Sequence, residues 1–260
     1  SNPIAVAGKS VQELNWSLNL KQYFSNHQGF DLGVKAVDAN GNVLDYISVP
    51  ILSANQERKV YDALYFEVKG SALPTAAQWE KAPAITMSRN NDAAQDDFGV
   101  NAKLMWNEQG LYFRFTVNDV VHAQENDATG AWRQDSIQLA FDPNNSKQSD
   151  GTQYEYGISL YQNRPRWSYW IMGAKKKEAM SPATQVKITR NESNRTTVYE
   201  GRMAWAEIEP FDITKIKELG FDFCVNNSNG DQMYENLEWT PGISSGGKDS
   251  SLFGLLKFKK

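Results

Sequence analysis

A chain of 260 residues with 40% hydrophobic and 22% charged side chains holds enough apolar material for a sizeable core. Its formal net charge of −4 argues against the basic field that nucleic acids or anionic membranes select. The single cysteine excludes an internal disulfide, and two histidines argue against a zinc centre built from several imidazoles. No run approaches the roughly 20 apolar residues of a membrane-spanning helix.

Aromatic residues make up 12% of the chain, and they favour strands as well as flat binding walls. Strand signals dominate from the start. "VQELNWSLNL" alternates loosely, and "FDLGVKAV" and "NVLDYISVPIL" flank "DANG", where Asn40-Gly41 marks a hairpin turn. "KVYDALYFEV" closes this block near residue 68, and "KGSALPT" follows as a linker. Residues 1–68 form a thin β-rich segment, because so small a unit has a marginal core. It is either the tail of an upstream domain or a small Ig-like or incomplete sandwich packed beside the rest.

From residue 69 to 260 the pattern changes to a long series of short strands. "AAQWEKAP" predicts a helical turn stopped by Pro83. "AKLMW" and "LYFRFTV" flank "NEQG", "DSIQLAF" leads into the polar "DPNNSKQSDG", and "YEYGISLY" and "RWSYWIM" flank "QNRP". "VKITR" and "TVYEGRMAW" flank "NESN"; "DITKIKEL" looks helical; "GFDFCVN" and "LFGLLKF" finish the series. Strands and turns at this spacing predict an all-β sandwich or barrel rather than βαβ units.

Period-two alternation sorts the side chains into faces. Ile137, Leu139 and Phe141 share the core face of their strand, with Ser136, Gln138 and Ala140 opposite. Tyr156, Ile158 and Leu160 alternate with Glu155, Gly157, Ser159 and Tyr161, and Arg114 projects opposite Phe113 and Phe115. Asp135 has core parity, where a bare charge is costly. It therefore needs backbone N–H groups, an arginine or calcium, which takes 6–8 oxygens. Asp119, at the end of "FTVND", is its candidate companion, with strand-end capping as the competing reading. Cys224, in an apolar run, reads as a buried thiol, and Trp79, Trp106 and Trp205 read as core. No G-x-S-x-G and no phosphate-cradling glycine loop occurs.

The blocks "AKLMWNEQGLYFRFTVND…WRQDSIQLAFDP", "YEGRMAWAEIEP", "GFDFCVNNSNGD", "EWTPGI" and "KDSSLFGLLKF", in that order, resemble the family 9 carbohydrate-binding modules over about residues 70–260. The resemblance implies a jelly-roll-type β-sandwich, a non-catalytic role beside secreted bacterial glycan-degrading enzymes, and bound calcium. It also implies a sugar held between two tryptophans. Trp132 matches the first of these, and an indole suits the apolar C–H face of a pyranose. Gln138 stands where the family places a carboxylate; an amide still bonds hydroxyls but without charge assistance. Gly157 falls where sugar-binding members carry an arginine, and Trp239 matches a packing position. The second tryptophan has no counterpart: the matching position is about Gly247, in "SSGGKDSSLFG". Trp170 or Tyr161 could supply another wall.

The sugar-binding candidates are thus Trp132, Gln138, Arg114, Glu155 and Tyr161, and the calcium candidates are Asp119 and Asp135. The leading expectation is an accessory module of a secreted or cell-surface bacterial protein. It would bring a catalytic domain of the same full-length chain to a polysaccharide or oligosaccharide, its leader lying outside the given sequence. The rival is a structural or interaction sandwich that has lost the clamp, which the Gly247 departure favours. A third reading, glycan hydrolysis by this chain, needs two facing carboxyls.

Overall fold

The computed structural model describes residues 58–67, 70, 72–89, 97–148, 151–173, 180–230, 235–244 and 247–260, together with the backbone of 29–37, 43–52 and 233–234. The chain divides into two units, Ser1–Glu57 and Arg58–Lys260. In the first, β1 (Gly29–Val37) and β2 (Val43–Leu52) pair antiparallel, with a register shift at Ala36/Val37. The Asn40-Gly41 turn and the strand expected over "VQELNWSLNL" lie outside the described residues.

The second unit is built from β3 (Val60–Tyr65), α1 (Ala76–Trp79), β4 (Ile85–Ser88), β5 (Phe98–Asn107), β6 (Gly110–Asp119), the 3-10 turn η1 (Ala128–Arg133), β7 (Ser136–Asp142), β8 (Tyr154–Tyr161) and β9 (Arg164–Met172). It continues with β10 (Gln185–Asn191), β11 (Thr196–Ala204), η2 (Trp205–Ile208), β12 (Glu218–Ser228), β13 (Met233–Glu238), η3 (Ser250–Leu252) and β14 (Gly254–Lys259). The strand order is β10-β11-β6-β5-β3-β14-β12-β7-β8-β9, with β13 added to β12 and β4 to β5. The end strands β9 and β10 meet, so the sheet nearly closes and encloses one aromatic core as a β-sandwich. Phe115 from β6 and Phe223 from β12 meet edge-to-face across that core, 5.0 Å apart. Trp79, Trp106, Trp205 and Trp239 are all buried, as are Cys224 and the core-parity residues of β7 and β8.

Two elements depart from the local pattern. The run "KVYDALYFEV", placed by sequence in the first segment, belongs to the sandwich: β3 lies parallel to both β14 and β5. The boundary therefore falls at residue 57, not 68. Arg58 fastens the entry, donating from Nε to the Phe253 carbonyl at 2.7 Å and from Nη2 to that of Gly254 at 2.9 Å. Tyr61 adds a hydroxyl bond to the Pro83 carbonyl at 2.7 Å. Parallel pairing between segments almost 200 residues apart leaves no local signature. The helix expected over "DITKIKEL" is a turn. The Asp212 carboxylate accepts from Thr214 N at 3.0 Å and from its hydroxyl at 2.6 Å, and Glu218 already opens β12. So short a helix does not recover its nucleation cost against such a turn and a waiting strand partner. The helical turn at "AAQW" forms under a capping box between Thr75 and Gln78.

Gly110 shows how closely the strands approach. A Cβ there would lie 2.2 Å from the Met203 carbonyl oxygen on β11. Gly110→Ala is expected to lower stability by about 1–3 kcal/mol through this overpacking, read as an earlier midpoint in urea unfolding.

Candidate functional site

The face of β7, β8 and β12 turned away from the aromatic core carries a row of polar groups. Ser136 stands opposite Ser159 and Asn226, Gln138 opposite Gly157 and Cys224, and Ala140 opposite Glu155 and Asp222. Gln138 Nε2 donates to Asn226 Oδ1 at 3.1 Å, and Asn226 Nδ2 to Ser136 Oγ at 2.9 Å. Backbone pairing thus sets the floor, and side-chain bonds fix its rotamers.

Asp222 ties the following loop onto this floor. Its fully buried carboxylate accepts from the backbone N–H of Phe223 (2.8 Å), Thr240 (2.9 Å) and Gly242 (3.2 Å). Glu238 holds the next turn, accepting from Ser244 N at 2.8 Å. The loop then brings Lys248 down to Glu155, whose side chain is only 3% exposed. Gly247 and Lys248 both have left-handed backbones, φ +70° and +71°. For lysine that conformation is strained, and the ion pair with a buried carboxylate offsets it. Burial raises the Glu155 pKa, and the Lys248 charge opposes the rise. Lys248 Nζ also lies 3.4 Å from Gln138 Oε1.

The aromatic walls come from η1 and β9. Asp127 caps η1 by accepting from Ala128 N at 2.8 Å, and Trp132 stands 41% exposed, the Arg133 guanidinium 5.5 Å from its ring centroid. Trp170 is the extra residue of a bulge in β9: Ile171 faces Glu155 and Tyr169 faces Tyr156, leaving Trp170 unpaired between them. Its indole lies over Gly157, and its Nε1 donates to the Ala128 carbonyl at 3.3 Å. Together these groups line a cleft of about 670 Å³, with Trp132, Trp170 and Tyr169 as aromatic surface, Gln138, Glu155 and Lys248 as polar groups, and Ile243 and Gly247 along the loop.

Trp132, Gln138 and Glu155 are therefore brought together. Two other sequence candidates are placed elsewhere. Arg114 is 3.7 Å from Glu200 and lines a separate hollow with Trp79 and Lys103 on the β5–β6 side. Parity correctly turned it away from the core, but on a strand remote from β7. Tyr161 is absent from the cleft lining; it ends β8 beside Arg166, whose guanidinium lies 5.6 Å from its ring. Lys248 was overlooked because a Gly/Ser-rich loop gives no sign of which strand it will rest on. Among the described cleft-lining residues Glu155 is the one carboxylate, whereas glycosidic hydrolysis uses a pair.

A second cluster lies where β6 ends and β7 begins. Candidate ligand atoms of Asp119, His122 and Asp135 lie within 4.8 Å of one another. Asp135 accepts from Ala123 N at 2.5 Å and Ser228 N at 2.7 Å, and Asp119 from Val121 N at 3.2 Å. Burial, reinforced by Asp119, pushes the Asp135 pKa up to about 8; burial likewise raises Asp119 to about 6. Burial, then Arg190, lowers that of His122, favouring the neutral imidazole. A hollow of about 40 Å³ adjoins the cluster, lined by Asp119, Asn227, Ser228 and Asn229 among others. Two carboxylates that repel when ionised, a neutral imidazole and surrounding oxygen-rich loops fit a divalent cation.

Fold and site together define a binding module: a β-sandwich with an aromatic-and-polar cleft held on its sheet. Residues 73–260 match the profile of the carbohydrate family 9 binding domain-like family, and the chain belongs to that family of non-catalytic modules. It is 27% identical over 163 residues to endo-1,4-beta-xylanase A of Thermotoga neapolitana; the match spans 61% of this chain and 14% of the xylanase. A family 9 module of Caldicellulosiruptor kristjanssonii in complex with cellotriose superposes with TM-score 0.54 at 19% identity, covering 77% of this chain and 94% of that one. The same family's module with glucose gives 0.53 at 20%, over 78% and 96%. A carbohydrate-binding protein of Bacteroides uniformis, assigned that function provisionally, gives 0.54 at 11%, over 78% and 100%.

Proposed function

We propose that the cleft binds a sugar, with a pyranose face resting on Trp132 and its hydroxyls read by Gln138, Glu155 and Lys248. The observation that carries this reading is the exposed indole beside a polar floor in a cleft of about 670 Å³. Apolar walls with a few placed polar groups are the usual make-up of a small-molecule site. A paired carboxylate and ammonium offer a hydroxyl both an acceptor and a donor. Titration with oligosaccharides, followed by calorimetry or tryptophan fluorescence, tests it. Trp132→Ala is expected to weaken binding by about 1–3 kcal/mol, by analogy with nucleobases stacked on aromatic side chains; an unchanged affinity removes Trp132 from the site.

The same reading makes the chain an accessory module of a secreted bacterial glycan-active protein, raising the local concentration of a catalytic partner on polysaccharide. The relatives support it: a xylanase on one side and sugar-bound modules on the other. No helix among the described residues is long and apolar enough to cross a membrane. Calcium is the cation proposed for Asp119 and Asp135, with His122 beside them; it would neutralise the carboxylates and tie the end of β6 to the start of β7. The rival reading, a sandwich that has lost its clamp, rests on Gly247, which lines the cleft without an aromatic. A glycan array read with and without calcium separates the two, since the rival expects no retained glycan in either condition.

A further inference from the structure

We infer that the outer face of β5 and β6 carries a second ligand site, a hollow beside α1 that takes the carboxylate of a uronic acid sugar. It lies across the core from the cleft, since Phe115 of β6 and Phe223 of β12 meet between the two faces. Strand register builds it. Ala102, Leu104, Phe113 and Phe115 point into the core, so Asn101, Lys103, Arg114 and Thr116 stand outside. Lys103 is directly opposite Arg114, and Asn101 is opposite Thr116. Helix α1 rests on the same face, because Trp79 packs in a cluster with Met105 and Tyr112. Helix and strands border a hollow of about 150 Å³, lined by these four outward residues, Trp79 and Glu80 among others. Small-molecule clefts usually exceed about 300 Å³, so this one suits a single ring or side group rather than a chain.

The charges in this hollow are not balanced by the strands around it. Two cations directly opposite each other on neighbouring strands repel. Lys103 is held in place nonetheless, its Nζ donating to the Trp79 carbonyl at 2.9 Å. Arg114, with its side chain 32% exposed, has Glu200 as its counter-charge, but at 3.7 Å from Nη1 that contact is too long for a hydrogen bond. Glu200 is also shared: Lys187, opposite it on β10, donates to it at 3.1 Å. Among the described residues Arg114 therefore donates no hydrogen bond. A guanidinium fork matches the two oxygens of a carboxylate, and Lys103 adds a second charge from across the strand pair. The remaining groups speak for a hydroxylated acid rather than a bare anion. Asn101, whose Nδ2 reaches Thr86 Oγ1 at 3.3 Å, keeps its amide oxygen for a hydroxyl, and Thr116 offers a donor and an acceptor. The Glu80 carboxylate repels a simple anion but accepts from a sugar hydroxyl.

The test is a titration of the whole ¹⁵N-labelled chain with glucuronate, glucose and acetate, followed by NMR. Trp132→Ala serves as the background, so that occupancy of the cleft does not contribute. The expected result is a saturable shift of the Arg114 Nε–H signal and of the Lys103 and Thr116 amides with glucuronate. Glucose, which lacks the carboxylate, and acetate, which lacks the hydroxyls, should each bind at least about tenfold more weakly. Arg114→Gln and Lys103→Gln should each weaken glucuronate about tenfold or more. Both variants remove one of two repelling charges, so their urea midpoints should equal or exceed that of the parent. No saturable shift with glucuronate, or full affinity in both variants, overturns the site. Acetate binding as tightly as glucuronate overturns the assignment to a uronic acid. Lowered midpoints in both variants would make the two charges structural and overturn the inference as well.

Discussion

Asp222→Ala is expected to lower the free energy of unfolding by about 3–5 kcal/mol. The side chain is fully buried and accepts three backbone N–H bonds, two of them from Thr240 and Gly242 in the loop that reaches the cleft. Alanine leaves those donors without partners in a space closed to water, and each orphan costs about 1–3 kcal/mol. Asp222→Asn separates shape from acceptor number. Its amide oxygen can still serve Phe223 and Thr240, but its NH₂ faces the Gly242 donor, so it should lose a smaller part of the stability. Urea unfolding followed by tryptophan fluorescence measures both. The functional consequence is distinct from the stability loss. With the loop untied, Lys248 no longer has a fixed approach to Glu155, and sugar affinity should fall in Asp222→Ala even where the protein remains folded. Stability within about 1 kcal/mol of wild type would remove Asp222 from this role.

The sandwich was legible in sequence because its strands are two-faced. Ile137, Leu139 and Phe141 announce a buried face, and the same alternation places Gln138 and Glu155 on the other. Trp132 was read from the family resemblance, and it stands in η1, which only Gln134 and Asp135 separate from β7. What stayed hidden depends on partners remote in sequence. β3 reads as one more strand of the first segment until β14 and β5 are seen on either side. Arg114 has the right parity but lies on β6, several strands away from β7 in the sheet, because parity says nothing about which strands are neighbours. Trp170 is aimed into the cleft by a bulge that shifts the β9 register by one residue, and alternation cannot foresee such a shift. Lys248 arrives through a positive-φ turn in a run of small residues whose composition suggests only mobility. The missing tryptophan at Gly247 was readable, and Trp170 was one of two candidates for its replacement; alternation could not choose between it and Tyr161.

Removing divalent cations is expected to make stability depend on pH in the direction opposite to ordinary acid denaturation. Asp135 and Asp119 have folded pKa values raised to about 8 and about 6, above 3.8 for the free side chain, because both are buried and Asp135 also faces the Asp119 charge. Between those limits the folded state holds more protons than the unfolded one. Stability from this pair is therefore greatest in acid and is lost as pH rises from about 4 to about 8. His122, its pKa lowered by burial, contributes with the opposite sign: the neutral ring is favoured, and its contribution grows as pH rises through the unfolded value of 6.5. The carboxylates outweigh it because there are two of them, both buried, and the Asp119 charge adds to burial at Asp135. In a chelator the melting temperature should thus fall from pH 5 to pH 8, taking ~5 and ~8 as the ends of the window. Calcium at about 100 times its dissociation constant should restore about 2.7 kcal/mol near pH 8, or about 5–10 °C for a unit of this size, and less near pH 5, where protons compete for the ligands. Asp135→Asn removes the charge that calcium would neutralise, so it should flatten the pH dependence in chelator and abolish the calcium increment. Differential scanning calorimetry across that pH range, with chelator or calcium, reads all three effects. A calcium increment that survives in Asp135→Asn would place the ion elsewhere in the chain.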